Sequence, residues 1–480
     1  MSLYEVAGMS YRILAAALCA ALLCACSSNA ASTLPQPQSP ASHPRFALVP
    51  AAGGSPIQHV IVVIQENRTF DNMFNGFPGA DTVTRGRNHR GKLVTLQPQG
   101  LEWEYDPSHA HTSLVTEYDN GKMDGFSLDR CDSDPLNFSG GCTPPPNFTY
   151  SYVPKGEVQW LWILGGEYAF AGKGYGIADR MFSSRQVPSF PGHQYLIAGQ
   201  SVASGDPIGP GERTLHGIWG CDAPKAVRVE QFGKTYTSPL TKGYPCYDYQ
   251  TIGDLMDAKG VSWKYYTGLP RTTDGDINGY DAIKHIRFGA DWSTKVVWPM
   301  TEIFSDIANN TLPQVSFVTP PFAASDHGAT LSAGGPAWVM SLYVALTENR
   351  KLYGNTAMLV TWDDSGGWYD HVAPPSDSFG PLGFRVPLLV ISPYARQKVS
   401  HAQHDFGSIL HYIERNWNLG SLGQRDMFAD DLSDMFNYKQ KPIPPIANFG
   451  GFNRRAFEHK YTRAYWDSLA KDPRPVDTDQ

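Results

Sequence analysis

The sequence predicts an α/β protein built on a mostly parallel central sheet. Three observations carry that prediction. Short β-branched runs without polar alternation, such as HVIVVI at 59–64, suit strands buried on both faces. Candidate helices alternate with such runs along the chain, the order that parallel strands and crossover helices produce. Several apolar runs also end abruptly in polar side chains, and open α/β sheets bind ligands where their strands end. With 480 residues and neither an internal repeat nor a linker, the chain can bury a large single core.

Taken in order, residues 1–30 come first and are set aside. Arg12 precedes the apolar run ILAAALCAALLCAC, which is too short to span a bilayer comfortably and ends in small residues. LCAC resembles a bacterial lipobox with Cys26 as the lipidated residue; an ordinary signal peptide cut after Ala30 is the alternative. Either reading sends the chain out of a bacterial cytoplasm: to the periplasm, to the medium, or to the outer membrane on an N-terminal lipid. Residues 31–50, rich in Ser, Pro and Ala, read as a tether, leaving 51–480 as one domain.

Export governs the cysteines. Cys19, Cys24 and Cys26 belong to the leader, and Cys131, Cys142, Cys221 and Cys246 remain. In an oxidising compartment they predict two bridges, and of three possible pairings Cys131–Cys142 with Cys221–Cys246 closes the shortest loops. The mature chain has no C-x-x-C, so neither a zinc ribbon nor thioredoxin chemistry has support.

Within the domain, the strand at 59–64 runs into QENRTFDNMFNGFPG. Residues 81–160 and 200–250 read as cap-like loops, in keeping with 46 Gly and 37 Pro, which disfavour a helix bundle. QWLWILGG begins as a helix; TIGDLMDAKGVSWKYY is a helix closed by Gly260 and then a strand. PQVSFVTP, TAMLVTWDD and VPLLVISP are further strands, with a helix over 336–350. From Asp405 as N-cap, Phe406, Ile409, Leu410, Ile413 and Trp417 fall at helical spacing.

Net charge −7 and the lack of a basic stripe give no support for nucleic acid as a partner, and none is expected. No G-x-S-x-G marks a serine hydrolase. What stands out are three strand exits, VVIQEN, VTPPFAASDHG and LVTWDDSGG, predicted to meet. Glu66, Asn67, Asp363 and Asp364 then offer four oxygen ligands to a hard divalent cation, which would remove the repulsion between paired acids. Carboxylates capping solvated turns account for the same residues.

The stretches QENRTFDNMFNGFPG, YDNGKMDGF, SDHG, TWDDSGGWYDHVAPP and VPLLVISPYAR together resemble the bacterial phosphoesterase family of phosphatidylcholine-type phospholipases C and respiratory-burst-inhibiting acid phosphatases, over roughly residues 57–435. The resemblance implies an alkaline-phosphatase-like α/β/α sandwich whose single catalytic domain hydrolyses phosphoesters through a covalent phosphoserine. It implies one divalent metal ion on Glu66, Asn67, Asp363 and Asp364, an oxygen set that does not select which ion. The family nucleophile lies in a segment resembling VPGPTxPNR; here VPSFPGHQYL places Ser189 there, with the flanking Gly-Pro and Asn altered and Ser183 and Ser184 nearby. Read alone, Ser189 is a turn residue.

The same resemblance makes His109 of YDPSHAH the general acid, with Pro107 in place of the family Leu. His327 of SDHG becomes a phosphate-binding or proton-transfer group beside Asp326, with Gly328 where Pro is common. His371, His193 and Arg68 are candidate supporting residues. The implied substrate is a phosphomonoester or a phospholipid. Family phospholipases often carry C-terminal β-domains for which this chain ends too early, an argument for the phosphatase side. Trp103, Trp160, Trp162 and Trp219 suit either a choline head group or loop cores. A non-catalytic phosphoester-binding relative is the rival reading, resting on the altered Ser189 segment.

Overall fold

The computed structural model describes residues 50–133, 142–167, 174–207, 219–233, 236, 240–270, 272–446 and 453–470. The expected leader, Cys26 and all but the last residue of the tether lie outside them. Eight strands form the central sheet: β1 His59–Gln65, β2 Gly176–Ala178, β3 Trp263–Tyr266, β4 Val296–Val297, β5 Val315–Val318, β6 Thr356–Trp362, β7 Leu388–Ile391 and β8 Val399–Ser400. Their spatial order is β4-β3-β5-β1-β6-β7-β2-β8. Only β7 runs against its neighbours, β6 and β2; the other pairs are parallel.

Every residue of β1 and β6 is buried, which requires cover on both faces of the sheet. That is the physical reason HVIVVI shows no alternation. The register then fixes the place of chemistry. β1 lies between β5 and β6, and Gln65 pairs with Trp362, so Glu66 and Asp363 leave the sheet side by side. The backbone ladder continues past the strand ends, with Glu66 N donating to Ser325 O (2.8 Å) and Asp363 N to Gln65 O (3.0 Å). The three predicted strand exits do meet.

The flanking helices follow their sequence signals. Asp405 caps the helix Phe406–Trp417 by accepting from Gly407 N, and Ile409, Leu410 and Ile413 are buried. Ile252–Lys259 starts in a Thr251–Asp254 capping box and stops at Gly260 in the left-handed region. Gly335–Glu348 ends before residue 350 because Asn349 caps a separate turn, accepting from Leu352 N. Among the described residues no helix is long and apolar enough to cross a membrane.

The cap regions carry short strands and the helix His111–Tyr118, and Phe126 and Tyr150 form a small second core with Tyr369 and Phe384 from beyond β6. Both expected disulfides form, with Cα–Cα distances of 5.4 Å for Cys131–Cys142 and 4.5 Å for Cys221–Cys246. Two of the four candidate head-group tryptophans pack as core, Trp162 against Phe74 and Phe77 and Trp219 against Phe190, and Trp160 is half-buried against Phe457. Trp103 is half-buried against Tyr105 and Trp368.

Candidate active site

The turn after Asp364 is shaped by glycine. Gly366 sits at φ +60°, and a Cβ there would lie 2.2 Å from Asn67 O. Any side chain would push the Asp363–Asp364 turn away from the β1 exit. Asn67 is itself left-handed (φ 57°), a conformation Asn tolerates, and its N–H donates to Asp363 Oδ1 at 3.1 Å.

Ser189 is not in a free turn; it opens the helix Ser189–Ala198. Its Oγ lies 3.1 Å from both Asn67 Oδ1 and Asp364 Oδ2. One helical turn on, His193 Nε2 stands 2.9 Å from Glu66 Oε1 and 3.7 Å from Asp363 Oδ2. Gly192 lets the helix come this close, since a Cβ there would be 2.9 Å from Asp363 O. Ser183 instead donates to Arg185 O.

The two remaining histidines meet at Asn67. His109 Nδ1 is 2.9 Å from Pro107 O and His327 Nδ1 is 2.6 Å from Gly328 O. Carbonyls only accept, so each Nδ1 carries a proton, and in the neutral ring Nε2 is then an acceptor. Both Nε2 atoms face the Asn67 amide, at 2.7 and 2.8 Å. If the amide nitrogen serves them, Oδ1 faces Ser189 Oγ, Glu66 Oε2 and Asp363 Oδ1 at 3.1, 3.3 and 2.9 Å. Oxygen against carboxylate is repulsive unless a cation lies between. The opposite amide orientation satisfies the acids but demands that both imidazoles be protonated.

Electrostatics point the same way. Burial, then the charges of Asp364 and Glu66, push Asp363 well above the usual carboxylate range, against the pull of His193 and Ser189. A divalent ion reverses that penalty. Donor atoms of Glu66, His193 and Asp363 lie within 4.8 Å of one another. Together with the Asn67 amide and Asp364, this buried donor set fits a divalent cation.

A profile described as the Phosphoesterase family matches residues 57–420. The chain belongs to that family. Phospholipase C B of Mycobacterium tuberculosis (strain ATCC 25618 / H37Rv) is 24% identical over 458 residues, covering 82% of this chain and 80% of the relative. Hemolytic phospholipase C of Pseudomonas aeruginosa is 22% identical, over 86% of this chain but 60% of its own length. Non-specific phospholipase C1 of Arabidopsis thaliana is 23% identical, over 81% and 72%. Among solved structures, a protein in the alkaline phosphatase superfamily from Vibrio parahaemolyticus gives a TM-score of 0.34 at 9% identity, covering 82% of this chain and 75% of that one. The family and these relatives make the chain a phosphoester hydrolase.

The other candidate residues of this phosphoesterase lie outside the metal-like cluster. Asp326 does not turn its carboxylate to His327: Oδ2 accepts from Gln65 Nε2 (3.1 Å) and Trp362 Nε1 (3.2 Å), beneath the sheet edge. Burial pushes it up to about 6 despite those bonds and the charge of Arg68. The acid beside His327 is Asp106, whose Oδ2 is 3.9 Å from Nδ1. Its position three residues before His109 in YDPSHAH was the available signal.

Arg68 donates Nε to Asp326 O (2.6 Å) and stacks over Trp368, and burial lowers it to about 10; these are internal contacts. His371 belongs to a second acid cluster, with Nδ1 2.6 Å from Asp71 Oδ2. Tyr265, which sequence reasoning missed, places its hydroxyl 3.5 Å from His193 Nδ1. Nothing in a strand reading WKYY announces that contact.

Proposed function

We propose that the protein is a metal-dependent phospholipase C-type phosphoesterase in which Ser189 attacks phosphorus. The carrying observation is the seat of Ser189 Oγ, equidistant from Asn67 and Asp364 at a helix start. A divalent ion on Glu66, Asn67, Asp363 and Asp364 would neutralise phosphoryl charge and lower the effective pKa of the hydroxyl. Asp364 Oδ2 orients that hydroxyl and takes its proton as the Oγ–P bond forms. His109, in its protonated form, gives a proton from Nε2 to the departing oxygen while Nδ1–H stays on Pro107 O. Water then attacks the phosphoserine, His109 takes the water proton, and Ser189 recovers its own from Asp364. His327, on the other side of the Asn67 amide, is the phosphate-binding partner.

The relatives' names favour a phospholipid diester over a phosphomonoester. The leader-like N-terminus and two disulfides support export, with lipid attachment at Cys26. A short acid quench during turnover should trap phosphate on the peptide VPSFPGHQYL, and Ser189→Ala should abolish the adduct with metal content nearly intact. Label on Ser183, Ser184 or a histidine would sink the assignment. A panel of aryl phosphate, p-nitrophenyl phosphocholine and phosphatidylcholine, with and without chelator, ranks the substrates; a faster monoester would overturn the phospholipase reading.

A further inference from the structure

His193 stands in the acid cluster and takes part in none of the proton transfers assigned to Ser189, Asp364 and His109. Its Nδ1 faces the Tyr265 hydroxyl, and that hydroxyl lies 3.3 Å from Ile277 O. A phenol has one proton, and the carbonyl can only accept it. The phenolic oxygen is therefore the acceptor for His193 Nδ1–H, and in the neutral ring Nε2 is bare. A bare nitrogen pointed at Glu66 Oε1 from 2.9 Å and at Asp363 Oδ2 from 3.7 Å is three electron-rich atoms sharing one buried space.

Ligand geometry resolves the conflict. Two donors bound to one ion at about 2.1 Å stand about 3.0 Å apart in an octahedron and about 3.4 Å apart in a tetrahedron. The His193 distances to Glu66 and Asp363 bracket those separations. The ring is also held as metal-binding imidazoles are, with the far nitrogen donating to a fixed oxygen. Resting on the metal reading above, we infer that His193 Nε2 is a nitrogen ligand of the bound ion. The centre is then mixed nitrogen and oxygen, and it selects ions such as Zn2+ or Fe2+ over Mg2+ and Ca2+.

The test uses binding and spectroscopy on the folded protein, not turnover. Mn2+ serves as the reporter: pulsed EPR of the loaded wild type should show coupling to one directly bound 14N, absent in His193→Gln. By calorimetry the same variant should lose more than about 100-fold in Zn2+ affinity, beyond the loss typical of an outer partner, and under about tenfold in Mg2+ affinity. Tyr265→Phe, a milder change, should retain the nitrogen coupling while weakening Zn2+ about 10- to 100-fold. Ion bound by wild type without nitrogen coupling, or coupling that survives in His193→Gln, overturns this inference alone and leaves His193 as a donor to Glu66. A wild type that binds no divalent ion overturns the metal reading itself.

Discussion

Two buried clusters of acids, each with one histidine, grow from the same two chain stretches beyond β1 and β6. One holds Glu66, Asp363, Asp364 and His193; the other holds Asp71, Asp370 and His371. In the second, the buried Arg385 donates Nε to Asp370 Oδ1 at 2.8 Å, reaches Asp71 Oδ1 at 3.3 Å, and spends Nη1 on the carbonyls of Asp81 and Asp179. Burial pulls His371 toward neutrality, yet the hydrogen bond and charge of Asp71, with Asp370, win and raise it. In the first, burial and the charges of two more acids, Asp364 and Glu66, outweigh His193, and the proton affinity of Asp363 climbs. One cluster carries its own cation as a side chain. The other has donors arranged for a cation from outside. Composition alone does not separate an internal clamp from a candidate metal site; the source of the compensating charge does.

Removing the internal cation should have the largest effect. Arg385→Met should strand Asp71 and Asp370 and lower folding stability by about 3–5 kcal/mol, seen by denaturant titration, while metal stoichiometry of the folded fraction stays unchanged. Normal stability would erase the distinction. Next, Asp364→Asn should cost at least about 100-fold in kcat, about 3 kcal/mol, with metal content falling in parallel and stability moving little in metal-free buffer. An active, metal-free D364N enzyme would return the paired acids to the role of turn caps.

A smaller effect sharpens the border between the clusters. Asp326 has its pKa raised from 3.8 to about 6. The folded state therefore holds its proton more tightly than the unfolded chain, and stability falls as pH rises between about 4 and 6. Relative to Asp326→Asn, which keeps an oxygen for Gln65 and Trp362, wild type should gain on the order of 2 kcal/mol as pH is lowered through that window. Identical pH profiles by thermal melting would mean that Arg68 holds the carboxylate ionised throughout.

Much of this was legible because it is local. An unbroken apolar run announces a doubly covered strand, so β1 and β6 were readable. The exits QEN and WDD were readable as abrupt changes from apolar to polar side chains, a pattern that solvated turn caps share. Asp405 and Gly260 gave helix limits because caps act within one turn. Cysteine pairing followed from loop length and agrees with the structure.

Tertiary structure decided what depends on distant approach. The oxygen-bearing residues Glu66, Asn67, Asp363 and Asp364 were legible as cation ligands, but adjacency in SDHG put Asp326 beside His327 and gave no sign of Asp106. Only the packing of distant loops on the strand ends sends Asp326 to Gln65 and brings Asp106 to the histidine. Only the helix that starts at Ser189 sets His193 against Glu66, across 127 residues of chain, with the Tyr265 hydroxyl of β3 facing its Nδ1. Side-chain chemistry is a property of the residue, whereas the partner that supplies or withholds a proton or a charge is set by packing, and packing is not local.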